Sequence, residues 1–383
     1  MTDSKDVPTW DPLSAEVLSD QRAAYDRLRA TCGVARSARG VTVFRHADVV
    51  AAATDPLRFS SSASNHRQVP NSLDPPEHTT FRTAIDQFFT PDRIRRLEPV
   101  VASIAATLVD ALPRGSTFDA VTDLGYPFAV MTQTAWLGWG GIESDLLVWM
   151  HDNHRATRSG DPVQTAAVAD AYDALVGAQV RRRRGCGGAA PDDPTTELLR
   201  VRVDGRPLTD DEIISILRNW TAGDLGSIAA AIGVVVHFIA TRQHVQAELR
   251  ADRSGLAAAV DEMLRLDDPF LANRRRVTVR TTVAGHELEP GTRIYLNWTS
   301  ANRDPEVFPD PDAFRPAEHA PHNLVYGIGI HACPGRSLAT LELVVLLDTL
   351  LARTHRITPA AETAPQRETY PVGGWRHVPV QLA

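Results

Sequence analysis

The densest chemical signal in the chain is the run Tyr326-Gly327-Ile328-Gly329-Ile330-His331-Ala332-Cys333-Pro334-Gly335. Its glycines permit a backbone that turns sharply and lies close to something flat. A strong helical pattern over residues 337–353 follows, so Cys333 stands just before a helix N-terminus. Free N–H groups and the positive end of the helix dipole there favour thiolate over thiol. A lone thiolate kept charged inside a protein needs a partner, and haem iron is one. The competing readings are a buried, inert thiol and a zinc site. His331 and Cys333 offer zinc only two ligands at HxC spacing, too few for a closed site.

Other positions carry chemistry by type and spacing. Glu262 and Arg265 lie three apart on a predicted helix and share one face. Left exposed, such a pair would be worth only ~0.3–0.5 kcal/mol. Thr209 with Glu212 forms a capping box, so a long helix begins there. It runs about 30 residues, hence about 45 Å, and is apolar nearly all round beyond Ile213. Within it stands Ala222-Gly223-Asp224-Leu225-Gly226-Ser227. Gly223 and Gly226 share a face and would open a shallow notch, which a flat cofactor and its ligand require.

The elements that must position these residues are mostly helical. Apolar positions recur at three- and four-residue spacing over 14–31, 46–54, 79–89, 92–112, 142–152, 162–183, 210–240, 243–251, 255–266 and 337–353. Strands are expected over Gly40–Phe44, Arg276–Val283, Thr292–Asn297 and Val378–Leu382. The fold class is therefore mainly α, an α-rich α+β domain expected to occupy 1–383 as one unit. The basic run at 181–184 followed by Gly reads as a helix C-terminus whose cations face the dipole. Forty basic against 47 acidic residues leave −7, which argues against a nucleic-acid binder. Cys32, Cys186 and Cys333 lie far apart and form no disulfide framework, as expected of a reducing cytoplasm. The polar start carries no leader, and the most apolar stretch, Leu225–Ala240, falls short of the ~20 residues of a membrane span.

The cysteine run resembles the haem-binding signature of the cytochrome P450 family, FGxGxHxCxG, with Tyr326 where Phe is usual. The resemblance extends through Asp74-Pro75-Pro76-Glu77-His78-Thr79 with Arg82, Phe89-Thr90-Pro91, the ExxR pair Glu262/Arg265, Asn302-Arg303-Asp304-Pro305 and Phe308-Pro309-Asp310-Pro311. It implies the P450 fold, with haem b between the central long helix and the helix after the cysteine. Cys333 would be the axial thiolate ligand, with Tyr326, Gly327, Gly335, Ala222 and Gly223 against the haem. His78, Arg82, Arg275 and His331 match positions that hold its propionates. Within Arg274-Arg275-Arg276, counting from Pro269 and from Gly285 favours Arg275. Glu262, Arg265 and Arg303 would bracket the cysteine loop. Asn219, Gly226, Phe270, Leu271, Ala272, Asn273, Pro371 and Val372 match pocket positions.

The central helix departs from the family pattern [AG]Gx[DE]T, whose acid and alcohol relay protons for oxygen activation. Leu225 and Gly226 stand at those two places, with Asp224 one residue early and Ser227 one late. These two are the candidates for a displaced relay. The interval from Phe59 to Asp74 is also shorter than the family's substrate-covering loop. The resemblance implies a bacterial-type, cytoplasmic, monomeric monooxygenase acting on a small organic substrate. Without a flavin motif or clustered cysteines, its electrons would come from a separate ferredoxin and NAD(P)H-dependent reductase. The alternative is a peroxide-using, coupling or dehydrating relative that needs no relay. A haem-binding protein without turnover is a third class, which no attached signalling segment supports.

Overall fold

The computed structural model describes residues 7–64 and 67–383; the start of the chain and part of the interval from Phe59 to Asp74 lie outside them. Thr209 caps the central helix as its sequence requires. Its hydroxyl accepts from the Glu212 backbone N–H at 3.2 Å, and the Glu212 carboxylate accepts from the Thr209 N–H at 2.9 Å. The helix runs Asp210–Thr241 and is buried on nearly every side from Ile228 to Val236. The apolar stretch ending at Ala240 is thus the second half of a longer element. By length and hydropathy this helix could cross a membrane, but 67% of its most apolar window is buried inside the protein. Its apolar surface belongs to the core.

The helices Tyr126–Leu137, Pro162–Cys186 and Arg336–Arg353 pack around it, and Glu98–Ala111 packs on the last of these. Tyr126–Leu137 was not expected from sequence, because burial on almost every side leaves no polar stripe to reveal a period. The segment read as one helix over 14–31 is two, Ala15–Ser19 and Gln21–Thr31, divided at Asp20, whose carboxylate caps the second. The helix expected over 142–152 runs Glu143–Ser159 and stops at Gly160, φ +67°. The basic run does end a helix, but Arg183 is buried, paired with Asp193 at 2.7 Å and donating to the carbonyls of Leu137 and Gly138.

A five-stranded sheet has the order Val34–Ser37, Gly40–Val43, Arg293–Asn297, Ala272–Val277, Phe59–Ser60. At Gly40 (φ +140°) a Cβ would fall 2.4 Å from the Arg293 carbonyl oxygen, so glycine lets these strands close. The strand expected over Arg276–Val283 begins earlier, at Ala272, and ends at Val277; Thr281–Val283 forms a separate hairpin with His286–Leu288. This earlier start has a consequence. Alternation along the strand buries Arg275 and exposes Arg274 and Arg276. The C-terminal strand Pro379–Leu382 joins Ile357–Pro359 and Thr117–Asp119.

Because the capping box fixes where the central helix starts, Thr209→Ala should cost about 1 kcal/mol of stability. Equilibrium urea unfolding followed by far-UV circular dichroism measures this as a lowered midpoint with unchanged slope.

Candidate haem site

The helix Leu256–Leu266 carries Glu262 and Arg265, whose bidentate pair measures 2.7 and 2.9 Å with side chains 1% and 0% exposed. Glu262 also accepts from His319 Nδ1 at 2.6 Å and from the Arg315 N–H at 3.1 Å. Burial raises its pKa, but the hydrogen bonds from Arg265, His319 and Arg315 together outweigh burial and hold it below the usual value. Arg265 donates to the carbonyls of Asn302, Pro311 and Ala313 at 2.8 to 3.2 Å and lies over the Phe308 ring. Glu262 and Arg265 pair as expected, but the third member beside them is His319 and not the expected Arg303. Arg303 stands in an adjoining cluster, paired with Asp26 at 3.0 Å and Asp312 at 2.8 Å, and ties the loop to Gln21–Thr31. Nothing in the sequence spacing marks His319.

This clamp leads directly into the cysteine loop. The Leu324 N–H donates to Asn302 Oδ1 and the Cys333 N–H to the Tyr326 carbonyl, both at 2.8 Å. Gly327 and Gly329 take φ +68° and +77°. A Cβ on Gly329 would meet the Ala53 carbonyl oxygen at 3.0 Å. Arg82 donates to the carbonyls of Ile330 at 3.2 Å and Ala332 at 2.8 Å, so it braces the loop from the helix Glu77–Asp86. The Arg336 guanidinium lies over the Tyr326 ring, 5.2 Å from its centre. Gly335 packs against Phe89 and the Cys333 sulfur, 3.7 and 3.8 Å from its Cβ direction. The Cys333 residue surface is open, yet the sulfur sits deep among protein atoms. Burial raises its pKa, against the N–H groups of Gly335 and Arg336, which pull it down. A haem iron bound at this sulfur would add the positive charge that favours the thiolate.

Positive and hydrogen-bonding groups converge beside the sulfur; Asp86 pairs with Arg82, and the charge of Asp74 acts on Arg275 and His78 without pairing with either. Arg275 is 5% exposed, and among the described residues no carboxylate pairs with it. Burial pushes its pKa down to about 10, opposed in part by the charge of Asp74. His78 is 2% exposed and neither ring nitrogen has a partner. Its ring lies 4.2 Å from that of His331, whose Nε2 meets the Ser61 hydroxyl at 2.8 Å. Burial first, and then Arg275 and the neighbouring groups, lower the pKa of His331 to about 3. Buried donors left without acceptors are costly. Here they form a cradle for carboxylates from outside the chain, which fits the two propionates of haem.

Across from the loop, Gly223 is exposed, and a Cβ there would meet nothing within 4 Å. Gly226 differs: His154 Nε2 lies 3.4 Å from its Cβ direction, so the expected notch is open at one glycine and filled at the other. Leu225 is fully buried in the core. The Ser227 hydroxyl donates back to the carbonyls of Gly223 at 2.9 Å and Asp224 at 3.1 Å. Asp224 Oδ2 is buried without a partner, and burial raises this carboxyl. Glu342, on Arg336–Arg353 and 0% exposed, also has both oxygens unpartnered; burial and then Asp224 raise it. Glu342 went unnoticed in the sequence because a lone Glu on an apolar helix carries no motif.

The expected pocket residues separate. Asn219 donates its amide to the Val69 carbonyl at 2.8 Å, and Ala222 is partly buried. Leu271 is not a pocket residue: its side chain is buried with Tyr25, Ala35 and Phe44 in a separate apolar cluster, against which Ala272 packs. Asn273 is committed to the Trp298 indole N–H at 2.8 Å. Phe270 is 45% exposed, Pro371 is exposed and Val372 is partly buried.

A family model described as Cytochrome P450 matches residues 203–376. The chain is 30% identical over 354 residues to the cyclomarin C epoxidase of Salinispora arenicola, covering 88% of each chain. It is 30% identical over 363 residues to the erythromycin C-12 hydroxylase of Saccharopolyspora erythraea, again covering 88% of each. A solved structure of a cytochrome P450 from Chondromyces apiculatus superposes with a TM-score of 0.87 at 27% identity, covering 98% of both chains.

The open face at Gly223 separates two requirements. Gly223→Ala should stabilise the haem-free protein by up to about 1 kcal/mol through helix propensity. The same methyl should lower haem occupancy, read as the Soret-to-280 nm ratio after reconstitution. Equal gain in both, or no loss of haem, would show that this face does not approach the cofactor.

Proposed function

The chain belongs to the cytochrome P450 family and is an oxidoreductase of the monooxygenase class, and from that premise we propose that Cys333 is the axial thiolate of a haem b. We further propose that it inserts one oxygen atom from O2 into a small organic substrate, with electrons from a separate ferredoxin and NAD(P)H-dependent reductase. The whole of 1–383 acts as one catalytic unit, monomeric and cytoplasmic. When bound, haem supplies the redox-active iron at which oxygen is activated. The observation that carries this reading is the convergence of Cys333 with His78, whose two ring nitrogens are buried without partners, and with the buried Arg275, which has no ion pair among the described residues.

The chain's own residues have distinct tasks. Arg275, His78 and His331 would hold the carboxylates of the cofactor by charge-assisted hydrogen bonds. Arg82 adds positive charge while fixing the carbonyls on either side of Ala332. Asp224 is a buried carboxyl that can hold a proton near neutral pH, and the Ser227 hydroxyl lies one turn away. Two relatives are named for tailoring elaborate natural products, an epoxidase and a hydroxylase. A natural-product intermediate is the substrate class this supports.

The peroxide-using alternative is favoured by one observation. Leu225 is buried in the core and Gly226 has no side chain, so neither carries a proton at the family's relay positions.

Two experiments test these readings. Reduced protein under carbon monoxide should show the red-shifted Soret band of thiolate ligation; Cys333→Ala should abolish it, whereas Cys32→Ala and Cys186→Ala should not. Loss of the band in either of the latter would overturn the ligand assignment. Turnover should then be compared between NADPH with ferredoxin and reductase, and hydrogen peroxide alone. Coupled turnover only with the electron-transfer proteins supports the monooxygenase, and turnover only with peroxide supports the alternative. A working relay through Asp224 or Ser227 predicts that Asp224→Asn or Ser227→Ala lowers the reductase-driven rate by ~10²-fold or more.

A further inference from the structure

The helix Glu143–Ser159 reaches the central helix at Gly226 through one side chain, His154. With Nε2 3.4 Å from the Cβ direction of Gly226, a methyl there would just touch the imidazole and a larger side chain would press on it. The ring is held from its other side, where Nδ1 shares a hydrogen bond with the Tyr126 hydroxyl; the two rings lie 5.3 Å apart. One turn beyond His154, Arg158 pairs with the buried carboxylate of Glu368 and also lies beside the Tyr126 hydroxyl.

A neutral imidazole carries one ring hydrogen, and a Tyr126 hydroxyl that donates to His154 Nδ1 leaves that hydrogen on Nε2. Burial lowers the His154 pKa to about 4, so the imidazole is neutral at neutral pH. Among the described residues Nε2 has no hydrogen-bond partner. Nearby polar groups on the central helix are already engaged: Asn219 donates to Val69 and Ser227 to its own helix.

We propose that His154 is a specificity-determining residue whose Nε2–H donates a hydrogen bond to a carbonyl or amide oxygen of the substrate, above the central helix at Gly226. Tyr126 is its positioning residue, and Gly226 supplies the room. The inference deepens the haem-thiolate reading and rests on it.

The test uses haem-loaded protein and probes that anchor themselves to iron through a pyridine nitrogen. The carbonyl probes are 3- and 4-acetylpyridine, and their shape-matched controls are 3- and 4-isopropenylpyridine. Dissociation constants come from visible difference spectra, and the measured quantity is the preference for acetyl over isopropenyl. That ratio cancels nitrogen basicity when variants are compared. His154→Phe should reduce the preference roughly 2- to 10-fold for at least one of the two reaches, as expected for one net hydrogen bond. His154→Gln, which keeps an N–H donor, should retain part of it. Tyr126→Phe and Gly226→Val, whose branched side chain exceeds the room beside the ring, should each weaken it with haem still bound, which keeps the test open if His154→Phe folds poorly. Histidine-selective 15N spectra of the ferrous carbon monoxide form should show His154 with its hydrogen on Nε2, identified by its loss in His154→Phe. The same preference in wild type and all variants, or a hydrogen on Nδ1, overturns this inference and leaves the haem reading intact. No spectral response to any probe in the wild type overturns both.

Discussion

A positive charge buried without a direct ion pair, offset only in part by the charge of Asp74, is the constraint around which the site is organised. Arg275 lies on an interior strand, and the alternation of that strand leaves its guanidinium no way to solvent. Two imidazoles, His78 and His331, stand in the same region, their pKa values pushed down by burial and by the surrounding cations. Burying such groups together costs several kcal/mol unless anions complete the set. The arrangement persists because it is fixed from outside. Arg293–Asn297 and Phe59–Ser60 flank the strand, and Ser61, hydrogen-bonded to Asp74, holds His331. The fold therefore stores an electrostatic demand that a doubly anionic cofactor relieves, which couples cofactor binding to stability.

The Glu262–Arg265–His319 cluster serves a different purpose. Fully buried ion pairs contribute little net stability compared with apolar packing, because desolvation offsets the Coulomb attraction. The ion pair within it is well supplied: Glu262 accepts from three groups, and Arg265 donates to three loop carbonyls as well as to Glu262, while His319 Nε2 is buried without a partner. Its value lies in geometry. It fixes carbonyls at 302, 311 and 313, and Asn302 in turn holds the Leu324 N–H at the entrance to the cysteine loop. Position is thus carried from the helix Leu256–Leu266 to Cys333 through hydrogen bonds of fixed direction.

What the sequence revealed and what it hid follow from these physics. Cys333, the ExxR pair and the capping box were legible because each rests on local spacing along the chain. Arg275 could be chosen from its neighbours by counting, and the strand's alternation supplies the reason. The helix Tyr126–Leu137 was not legible, since a segment buried all round shows no amphipathic period. His319, Glu342 and His154 were missed for a related reason. Each acquires its role from a partner on another element, 57 residues away for His319 and 28 for His154, and no local pattern records such distances. Leu271 failed in the opposite direction: its match to a family pocket position suggested the pocket, but its side chain is buried in an apolar cluster with Tyr25, Ala35 and Phe44.

The two faces of the site differ in how their polar groups are supplied. On the cysteine side, each group comes from a motif that also shapes the backbone. On the other side the central helix has given up side chains: Leu225 points into the core, Gly223 is bare, and Ser227 bonds to its own helix. An acid placed at 225 would be buried in apolar surroundings, so the leucine suits the direction in which that position points. Gly226 is different, because its missing side chain is matched by a ring from another helix. The pairing works in both directions: a side chain larger than a methyl at 226 would crowd the imidazole, and without the imidazole the glycine would leave a gap over a helix that glycine already weakens. Polar chemistry on this side therefore depends on how Glu143–Ser159 sits over the central helix. Its position is set by Tyr126 and by the Arg158–Glu368 pair, both remote in sequence from the cysteine motif.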